Sequence, residues 1–179
     1  MAYRAAFRCV HGVAAGMQIF GTFLLLIMGA AVGEPAANPI IDQEFRDQYG
    51  NVDSLARRAG APVVAVVVAV KGLAMIEKWE RDLSARVPGI RFLNVADLPA
   101  GVPIDLERTA LTLRKRVPPG VSVLIDPARQ WATAFGLNTA VPNLLVFDAT
   151  GRLSARFRGR WSPALAAEVA ATVPRDPVP

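Results

Sequence analysis

The amino-acid sequence predicts an α/β protein in which a mixed central sheet lies between two layers of helices. Predicted strands and helices alternate along most of the chain, and such alternation produces parallel strands joined by right-handed crossovers. Residues 62–70 are mostly valine and show no polar alternation, which indicates a central strand buried on both faces. Two strands near the end of the chain, separated by a short turn, add an antiparallel hairpin.

The elements of the first half follow from turn, cap and spacing signals. Asp53 is predicted to cap a short helix that Gly60 ends. Apolar residues at helical spacing follow the valine-rich strand until Pro88 and Gly89 stop the pattern. The predicted elements are a hairpin or turn at 45–52, the short helix at 54–59, a strand at 62–70, a helix at 72–87 and a strand at 90–95.

The second half follows a proline-containing loop at 96–105 and ends with the antiparallel hairpin and a last helix. Asp105, Asp126 and Ser162 are predicted helix caps, and Trp131 with Phe135, four residues apart, is predicted core. The predicted elements are helices at 106–117, 128–135 and 164–173, strands at 121–126, 143–148 and 152–161, and a loose tail at 174–179.

Composition excludes several classes of site. The chain has 179 residues, 53% of them apolar, which suits one core-forming domain. It has one cysteine and one histidine, Cys9 and His11. A disulfide framework, a Cys/His zinc site, a Ser-His-Asp triad and a Cys-His dyad are therefore excluded beyond the first dozen residues.

The first 33 residues have the pattern of a secretory signal. Arg4 and Arg8 precede an uncharged stretch from Gly12 to Gly33, with small residues at its end. An uncleaved membrane anchor is the alternative, since the stretch is long enough to cross a bilayer. Both interpretations predict a location outside the cytoplasm, periplasmic or otherwise exported, and the second adds attachment to the cytoplasmic membrane through residues 12–33. Cys9 lacks the preceding residues of a lipid-attachment motif.

The remainder of the chain carries a mild charge. Without Arg4 and Arg8, the formal charge falls from +5 to +3, which does not suggest nucleic-acid binding. The phosphate-loop pattern GxxxxGK[ST] and the dinucleotide pattern GxGxxG are absent. The acids are scattered, without a spacing that indicates a glycosidase or a metal site. No cofactor and no metal are therefore expected.

Three stretches carry a family resemblance, and together they cover about residues 40–173. Residues 45–64 are similar to an entry hairpin that leads into the first central strand. Residues 123–137 resemble a strand and helix followed by an aromatic-Gly-apolar turn, and residues 141–159 resemble a Val-Pro strand with a closing hairpin. In this order they resemble the redoxin branch of the thioredoxin-like superfamily, which contains peroxiredoxins and exported TlpA-type thiol-disulfide reductases.

The resemblance implies a thioredoxin-like three-layer domain at residues 34–173 and a cis peptide bond before Pro142. In this family that proline shapes the surface where partners dock, and an ordinary trans proline is the alternative. The family places its reactive cysteines between the first central strand and the next helix. Here that junction runs from Val70 to Met75 without a thiol, and neither Lys71 nor Met75 can replace a thiolate in disulfide exchange. The activity of the family is therefore not carried over, and a copper site fails for the same lack of Cys and His.

Two sets of residues are predicted to bind a partner. The first set, called the partner groove, combines the junction with the loop proline, and its members are Lys71, Gly72, Val141, Pro142 and Asn143. The second is a basic face on the last strand, because residues of one parity share one side of a strand. Its members are Arg152, Arg156, Arg158 and Arg160. Each set has a plain alternative: Lys71 as an ordinary surface lysine, and the arginines as a solvated face that protects a sheet edge.

Three functional hypotheses follow. The first is an exported, non-catalytic module of a redox or envelope-assembly pathway that binds a protein or peptide in the partner groove. The second is an accessory enzyme that uses the thiol of a partner, or Lys71 with a neighbouring acid. The third is a structural subunit whose arginine face binds an acidic partner.

Overall fold

The computed structural model describes residues 40–101 and 103–174. In this part of the chain, seven strands form one sheet and four α-helices cover it. The strands are β1 (Phe45–Asp47), β2 (Val52–Asp53), β3 (Val63–Ala69), β4 (Arg91–Asp97), β5 (Leu124–Asp126), β6 (Asn143–Phe147) and β7 (Leu153–Arg158). The helices are α1 (Ile76–Arg86), α2 (Leu106–Arg116), α3 (Gln130–Phe135) and α4 (Pro163–Thr172).

The sheet is mixed, as predicted, with strand order β2-β1-β5-β4-β3-β6-β7. Strand β4 is parallel to both β3 and β5, while β6 is antiparallel to both β3 and β7. The β1–β2 hairpin joins the sheet through an antiparallel pairing of β1 with β5. Hydrophobic clusters lie on both faces, one with residues of α1, α2 and α4 and the other with residues of α3. The predicted three-layer α/β/α class is therefore confirmed.

Strand β3 lies in the interior of the sheet, between β4 and β6, and its side chains are apolar on both faces. Val64, Val66 and Val68 pack in the cluster beneath α1 and α4. Val63, Ala65 and Val67 pack in the opposite cluster around Trp131. All six residues are at most 1% exposed, as predicted from the unalternating valine run.

The predicted caps at Asp105 and Ser162 are confirmed, whereas the N-cap residue of α3 is Arg129 and Asp126 bonds the helix start from three residues before it. Asp105 accepts a hydrogen bond from the backbone N–H of Arg108 at 2.9 Å, and Ser162 accepts one from Leu165 at 3.2 Å. Asp126 accepts the N–H groups of Gln130 and Trp131, both at 2.9 Å. Each bond satisfies a donor that the first turn of its helix leaves without an intrahelical partner.

The predicted cap at Asp53 is wrong. The segment that follows it forms only a short 3-10 helix, Ala56–Arg58. Ser54, not Asp53, accepts the N–H of Arg57, at 3.3 Å. The Asp53 carboxylate is instead bound to the guanidinium of Arg58.

Several predicted boundaries move: β5 begins at Leu124 rather than at residue 121, α3 begins at Gln130 rather than at residue 128, and β7 spans Leu153–Arg158 rather than 152–161. Two further changes affect the carboxyl ends of strands. The helix predicted from residue 72 begins as a 3-10 segment at Val70–Met75, and α1 follows it directly. Strand β4 continues to Asp97 rather than ending at residue 95. Asp97 therefore belongs to the sheet and not to the predicted loop.

The predicted arginine ladder on the last strand is interrupted. A register shift between Val146 and Phe147 places Leu153, but not Ser154, opposite Phe147. Leu153 consequently packs in the cluster around Trp131, whereas Ala155 packs on the opposite face of the sheet. Arg156 and Arg158 lie in β7, while Arg152 and Arg160 lie outside it.

The predicted signal or anchor at residues 1–33, with Cys9 and His11, lies outside the described residues, as does most of the tail. Among the helices of residues 40–101 and 103–174, none combines the length and hydropathy needed to cross a bilayer.

Candidate functional site

The carboxyl ends of β3, β4 and β5 meet at one edge of the sheet and bring two acids together. The parallel register pairs Ala69 with Asp97 and Asp97 with Asp126. Asp97 is 3% exposed and Asp126 is fully buried. In α/β sheets this edge is the usual place for a binding site, because the loops there diverge from the strands.

Asp97 is held by two side chains from different loops. The Nε of Arg129 lies 3.1 Å from Oδ1 and 3.3 Å from Oδ2 of Asp97. The hydroxyl of Thr139 donates to Oδ2 of the same carboxylate. The buried charge is thus paired and hydrogen-bonded, as an acid in such a place requires.

Asp126 is held by backbone N–H groups at the start of α3. Burial raises the pKa of Asp126, the hydrogen bonds from Gln130 and Trp131 lower it, and the nearby charge of Asp97 raises it again, so the net shift is upward. The two carboxylates therefore differ in their partners. The carboxylate of Asp97 is paired with the guanidinium of Arg129, whereas that of Asp126 accepts backbone N–H groups at the start of α3.

Arg129 reaches Asp97 from an unusual backbone conformation. Its φ of 56° is left-handed, and it is the one described residue other than glycine with a positive φ. A side chain with a Cβ pays a conformational cost there, and such residues are enriched at functional sites. The hydrogen bond from Arg129 to Asp97 and the charge of Asp97 raise the pKa of the guanidinium, which stays charged.

A cleft of about 530 Å³, called the strand-end cleft, opens over this ion pair. Asp97, Arg129, Thr139 and Ala140 line it, and the exposed Lys71 lies at its edge. The Arg129 side chain is 37% exposed, and among the described residues its two Nη groups have no hydrogen-bond partner. The cleft therefore offers guanidinium and ammonium donors above a buried acid, which suits an oxygen acceptor on a bound molecule.

The structure brings only part of the predicted partner groove to this cleft. Lys71 lines it, and the loop that precedes Pro142 reaches it through Thr139 and Ala140. The carbonyl of Thr139 accepts the N–H of Ala69 at 3.2 Å, which fixes this loop to the end of β3.

The remaining groove residues have packing contacts. A Cβ on Gly72 would lie 3.2 Å from Cβ of Val68, so a small residue lets the helical segment approach β3. Pro142 is buried and its carbonyl accepts the N–H of Gly159 at 2.9 Å. Asn143 is 4% exposed and donates to the carbonyls of Asn138 and Val141. The cis bond before Pro142 stays a prediction.

The arginines of the basic face have different surroundings. All four are exposed, but Arg156 covers Phe135. Its guanidinium carbon lies 5.4 Å from the ring centroid, and Nη1 donates to the Phe135 carbonyl at 2.9 Å. Arg156 therefore closes the edge of the core around Trp131.

Sequence reasoning missed Asp97, Arg129 and Thr139. A usable signal was present, since Asp97 and Asp126 each end a strand of a strand–helix alternation, and parallel strands place such residues at one edge. Arg129 and Thr139 carry no comparable signal. Within residues 40–101 and 103–174, no group of three or more His, Cys, Asp or Glu side chains is placed to share a metal ion.

Comparison with known proteins identifies the fold. No family model matches the sequence, and a search of curated proteins gives no match. Among solved structures, the exposed lipoprotein thioredoxin Etrx1 of Streptococcus pneumoniae TIGR4 matches with a TM-score of 0.58 and 17% identity, over 72% of this chain and 96% of that one.

Two further structures agree with this match. DsbF of Mycobacterium tuberculosis matches with a TM-score of 0.55 and 18% identity, over 74% of this chain and 96% of that one. Peroxiredoxin Q of Xanthomonas campestris matches with a TM-score of 0.53 and 15% identity, over 79% and 94%. The described part of the chain therefore has a thioredoxin-like fold, and its structural neighbours are redoxins.

Proposed function

We propose that this chain is an exported, non-catalytic binding module that uses a thioredoxin-like fold to hold a protein or peptide partner at the strand-end cleft. One observation carries the proposal. Near the junction where redoxins keep their reactive sulfur, this chain has a cleft built on the Asp97–Arg129 ion pair and edged by Lys71, and no cysteine follows Cys9.

Chemistry supports binding rather than turnover. Disulfide exchange and cysteine-based peroxide reduction both begin with attack by a thiolate. Neither the junction from Val70 to Met75 nor any residue after Cys9 supplies one. The strand-end cleft can still bind a partner, because binding there does not require a thiolate.

The donors at the cleft suggest what a partner presents. The Nη groups of Arg129, which have no partner among the described residues, and the ammonium of Lys71 favour a carboxylate or a backbone carbonyl. Asp97 holds the guanidinium in one place, so little side-chain entropy is lost when the partner binds. We therefore expect an extended segment that places an acidic side chain or its main-chain oxygens over Arg129.

Export rests on the N-terminal pattern and on the neighbours. Residues 1–33 have the charge and hydropathy order of a signal or anchor. The Etrx1 structure is described as that of an exposed lipoprotein. Cleavage and retention of the segment both remain compatible with the proposal.

The accessory-enzyme alternative has less support. It needs an acid beside Lys71, and among the described residues Lys71 makes no ion pair. The alternative that uses a partner's thiol keeps the same docking surface, so the experiment below also bears on it.

Site-specific photo-cross-linking tests the proposal. The full chain is produced in its own host with a photoreactive residue at Lys71 or Ala140, both at the cleft. The matched control is Arg81, on the exposed side of α1, with a side chain 69% exposed. We expect the same discrete adduct from both cleft positions and none from Arg81.

The adduct must also depend on the cleft. Asp97→Asn in the Lys71 background removes the charge that holds Arg129 and should reduce adduct yield, with the circular dichroism spectrum checking the fold. Equal adducts from Arg81 and Lys71 would contradict docking at the cleft. Turnover of a disulfide or peroxide substrate by the purified Cys9→Ser chain would contradict the non-catalytic part.

A further inference from the structure

The described residues form a second cleft whose exposed surface is more apolar than polar, although Glu44, Arg46 and Asp47 also line it. It lies between the β1–β2 hairpin and α2, has a volume of about 600 Å³, and is called the α2 cleft. The three most exposed large apolar side chains of the described residues all line it. They are Tyr49 at 47%, Leu106 at 52% and Leu111 at 53% exposed. Exposed apolar groups gathered in one place indicate a binding surface, whereas scattered ones do not.

An acidic and a basic side chain lie toward opposite ends of the stripe of α2 that lines the cleft. Glu107, Leu111 and Arg114 follow one another at intervals of four and three residues, so they share one stripe of the helix. Glu107 and Arg114 stand about 10 Å apart along the axis at about 1.5 Å per residue. Among the described residues neither makes an ion pair.

Contacts with the hairpin fix the orientation of the Arg114 side chain but use only part of its hydrogen-bonding capacity. Its Nε donates to the carbonyl of Gln48 at 2.7 Å, and its guanidinium lies over Tyr49, 5.7 Å from the ring centroid. Among the described residues the two Nη groups have no hydrogen-bond partner. They are free to form a bidentate bond with a carboxylate.

A surface with an acid at one end, a base at the other and apolar groups between them is complementary to itself when it is turned through half a revolution. Two α2 helices packed antiparallel would place Glu107 of each copy against Arg114 of the other. The midpoint of this pairing falls between Ala110 and Leu111, so the symmetry axis passes where a small residue permits close approach. Two-fold interfaces have this reciprocal pattern.

We propose that the α2 cleft is the interface of a symmetric homodimer, formed by antiparallel packing of α2 from two copies. The proposal is independent of the function assigned to the strand-end cleft. A second copy fits better than a small acidic ligand, because Glu107 would repel such a ligand at one end of the cleft. It also fits better than an added strand, because β1 already pairs with β2 and β5.

Disulfide trapping tests the geometry. Packed helix axes lie about 8–10 Å apart and Cα atoms about 2.3 Å from each axis, so facing residues come within disulfide range. In the full Cys9→Ser chain, Leu111→Cys should form a disulfide-linked dimer on mild oxidation. Ala110→Cys keeps Leu111 and should also form a disulfide-linked dimer, which shows whether loss of the leucine side chain affects trapping. Arg116→Cys, exposed on the same helix but outside the cleft, is the control and should stay monomeric.

Charge reversal tests the pairing with the same readout. In the Leu111→Cys background, Glu107→Arg or Arg114→Glu should lower the rate of dimer trapping about tenfold, since each places like charges together. The double reversal restores opposite charges and should recover the rate to within about threefold of the parent. Arg116→Glu should leave it unchanged.

Two results would overturn the proposal. One is trapping at Leu111 and Ala110 no faster than at Arg116, which would mean that the face is unoccupied or holds a different partner. The other is trapping that the single and double charge reversals reduce equally, with unchanged circular dichroism, which would exclude the antiparallel pairing.

Discussion

Asp97 and Arg129 are 32 positions apart in the sequence, and in the structure Nε of Arg129 lies 3.1 Å from the carboxylate of Asp97. Arg129 makes this bond from a left-handed backbone conformation, with φ of 56°. The ion pair thus depends on a loop conformation that few residues adopt. Its contribution to stability can be separated from that of the backbone by substitution.

Arg129→Ala and Arg129→Gly separate the backbone from the ion pair. Both leave Asp97 buried without its cation, so both should unfold at lower denaturant than the parent. Glycine tolerates the left-handed region, where alanine costs about 1 kcal/mol more. We expect Arg129→Gly to be the more stable variant, measured by urea unfolding followed through tryptophan fluorescence. Equal stability of the two would show that the backbone at this position is not strained.

Thr139→Val tests the second bond to Asp97. The substitution keeps the shape of the side chain but removes the hydroxyl that donates to the 3% exposed carboxylate. The loss should be about 2 kcal/mol of unfolding free energy, typical of a hydrogen bond to a charged group. Thr139→Ser keeps the donor and serves as the control. A valine variant no less stable than the serine variant would mean that the hydroxyl bond contributes nothing.

Glu80→Gln should stabilise the protein, and more so as the pH rises. Burial raises the pKa of Glu80 above its ordinary value of 4.5, although Asn94 and Arg58 partly offset the rise. Stabilisation from a raised pKa is fully present below the unfolded value and is lost as the pH rises through the folded value. Glutamine avoids that loss.

The same substitution addresses a buried atom without a partner. Nδ2 of Asn94 donates to Glu80 at 2.6 Å, while Oδ1 of Asn94 has no hydrogen bond among the described residues. The glutamine amide can supply a donor, a gain of about 1 kcal/mol at pH 8 that should shrink near pH 4. Glu77→Gln, 53% exposed on the same helix, is the control. Thermal unfolding of both variants and of the parent between pH 4 and pH 8 measures the stability difference. A difference between Glu80→Gln and the parent that does not change with pH would contradict this prediction.

Arg156→Ala and Arg158→Ala compare two arginines of one strand. Arg156 stacks on Phe135 and bonds its carbonyl, so its removal should cost about 1 kcal/mol. Removal of Arg158, for which no such contact is found among the described residues, should change stability by less than about 0.5 kcal/mol. Guanidinium chloride midpoints measure the difference. If both cost the same, Arg156 has no special part in closing the core.

The structural-subunit hypothesis is tested by binding instead. Arg156→Glu with Arg158→Glu should abolish capture of an acidic partner if the exposed arginines of β7 hold it, while Pro142→Ala should leave capture unchanged. The opposite pattern would favour docking near the loop proline. Because Arg156 also supports the core, the double variant needs an unfolding curve beside the binding measurement.

Features that depend on near neighbours in the chain could be predicted from the sequence. Asp105, Asp126 and Ser162 each accept an N–H of a helix start within five residues, so the local pattern was sufficient to place these side-chain bonds. The valine run from Val63 identified an interior strand, because only a strand covered on both faces buries such a run. The lack of cysteine after Cys9 excludes thiol chemistry there by composition alone, because no arrangement of the chain can supply a missing thiolate.

The tertiary structure alone decided which distant groups meet. The register of β4 against β5 placed Asp97 beside Asp126, and a left-handed residue then turned Arg129 toward it. A register shift in β7 moved Leu153 to the other face and broke the arginine ladder. The packing of α2 beside the hairpin left Leu106 and Leu111 exposed. These outcomes depend on register and on packing between segments far apart in sequence, and a pattern read over a few residues contains neither.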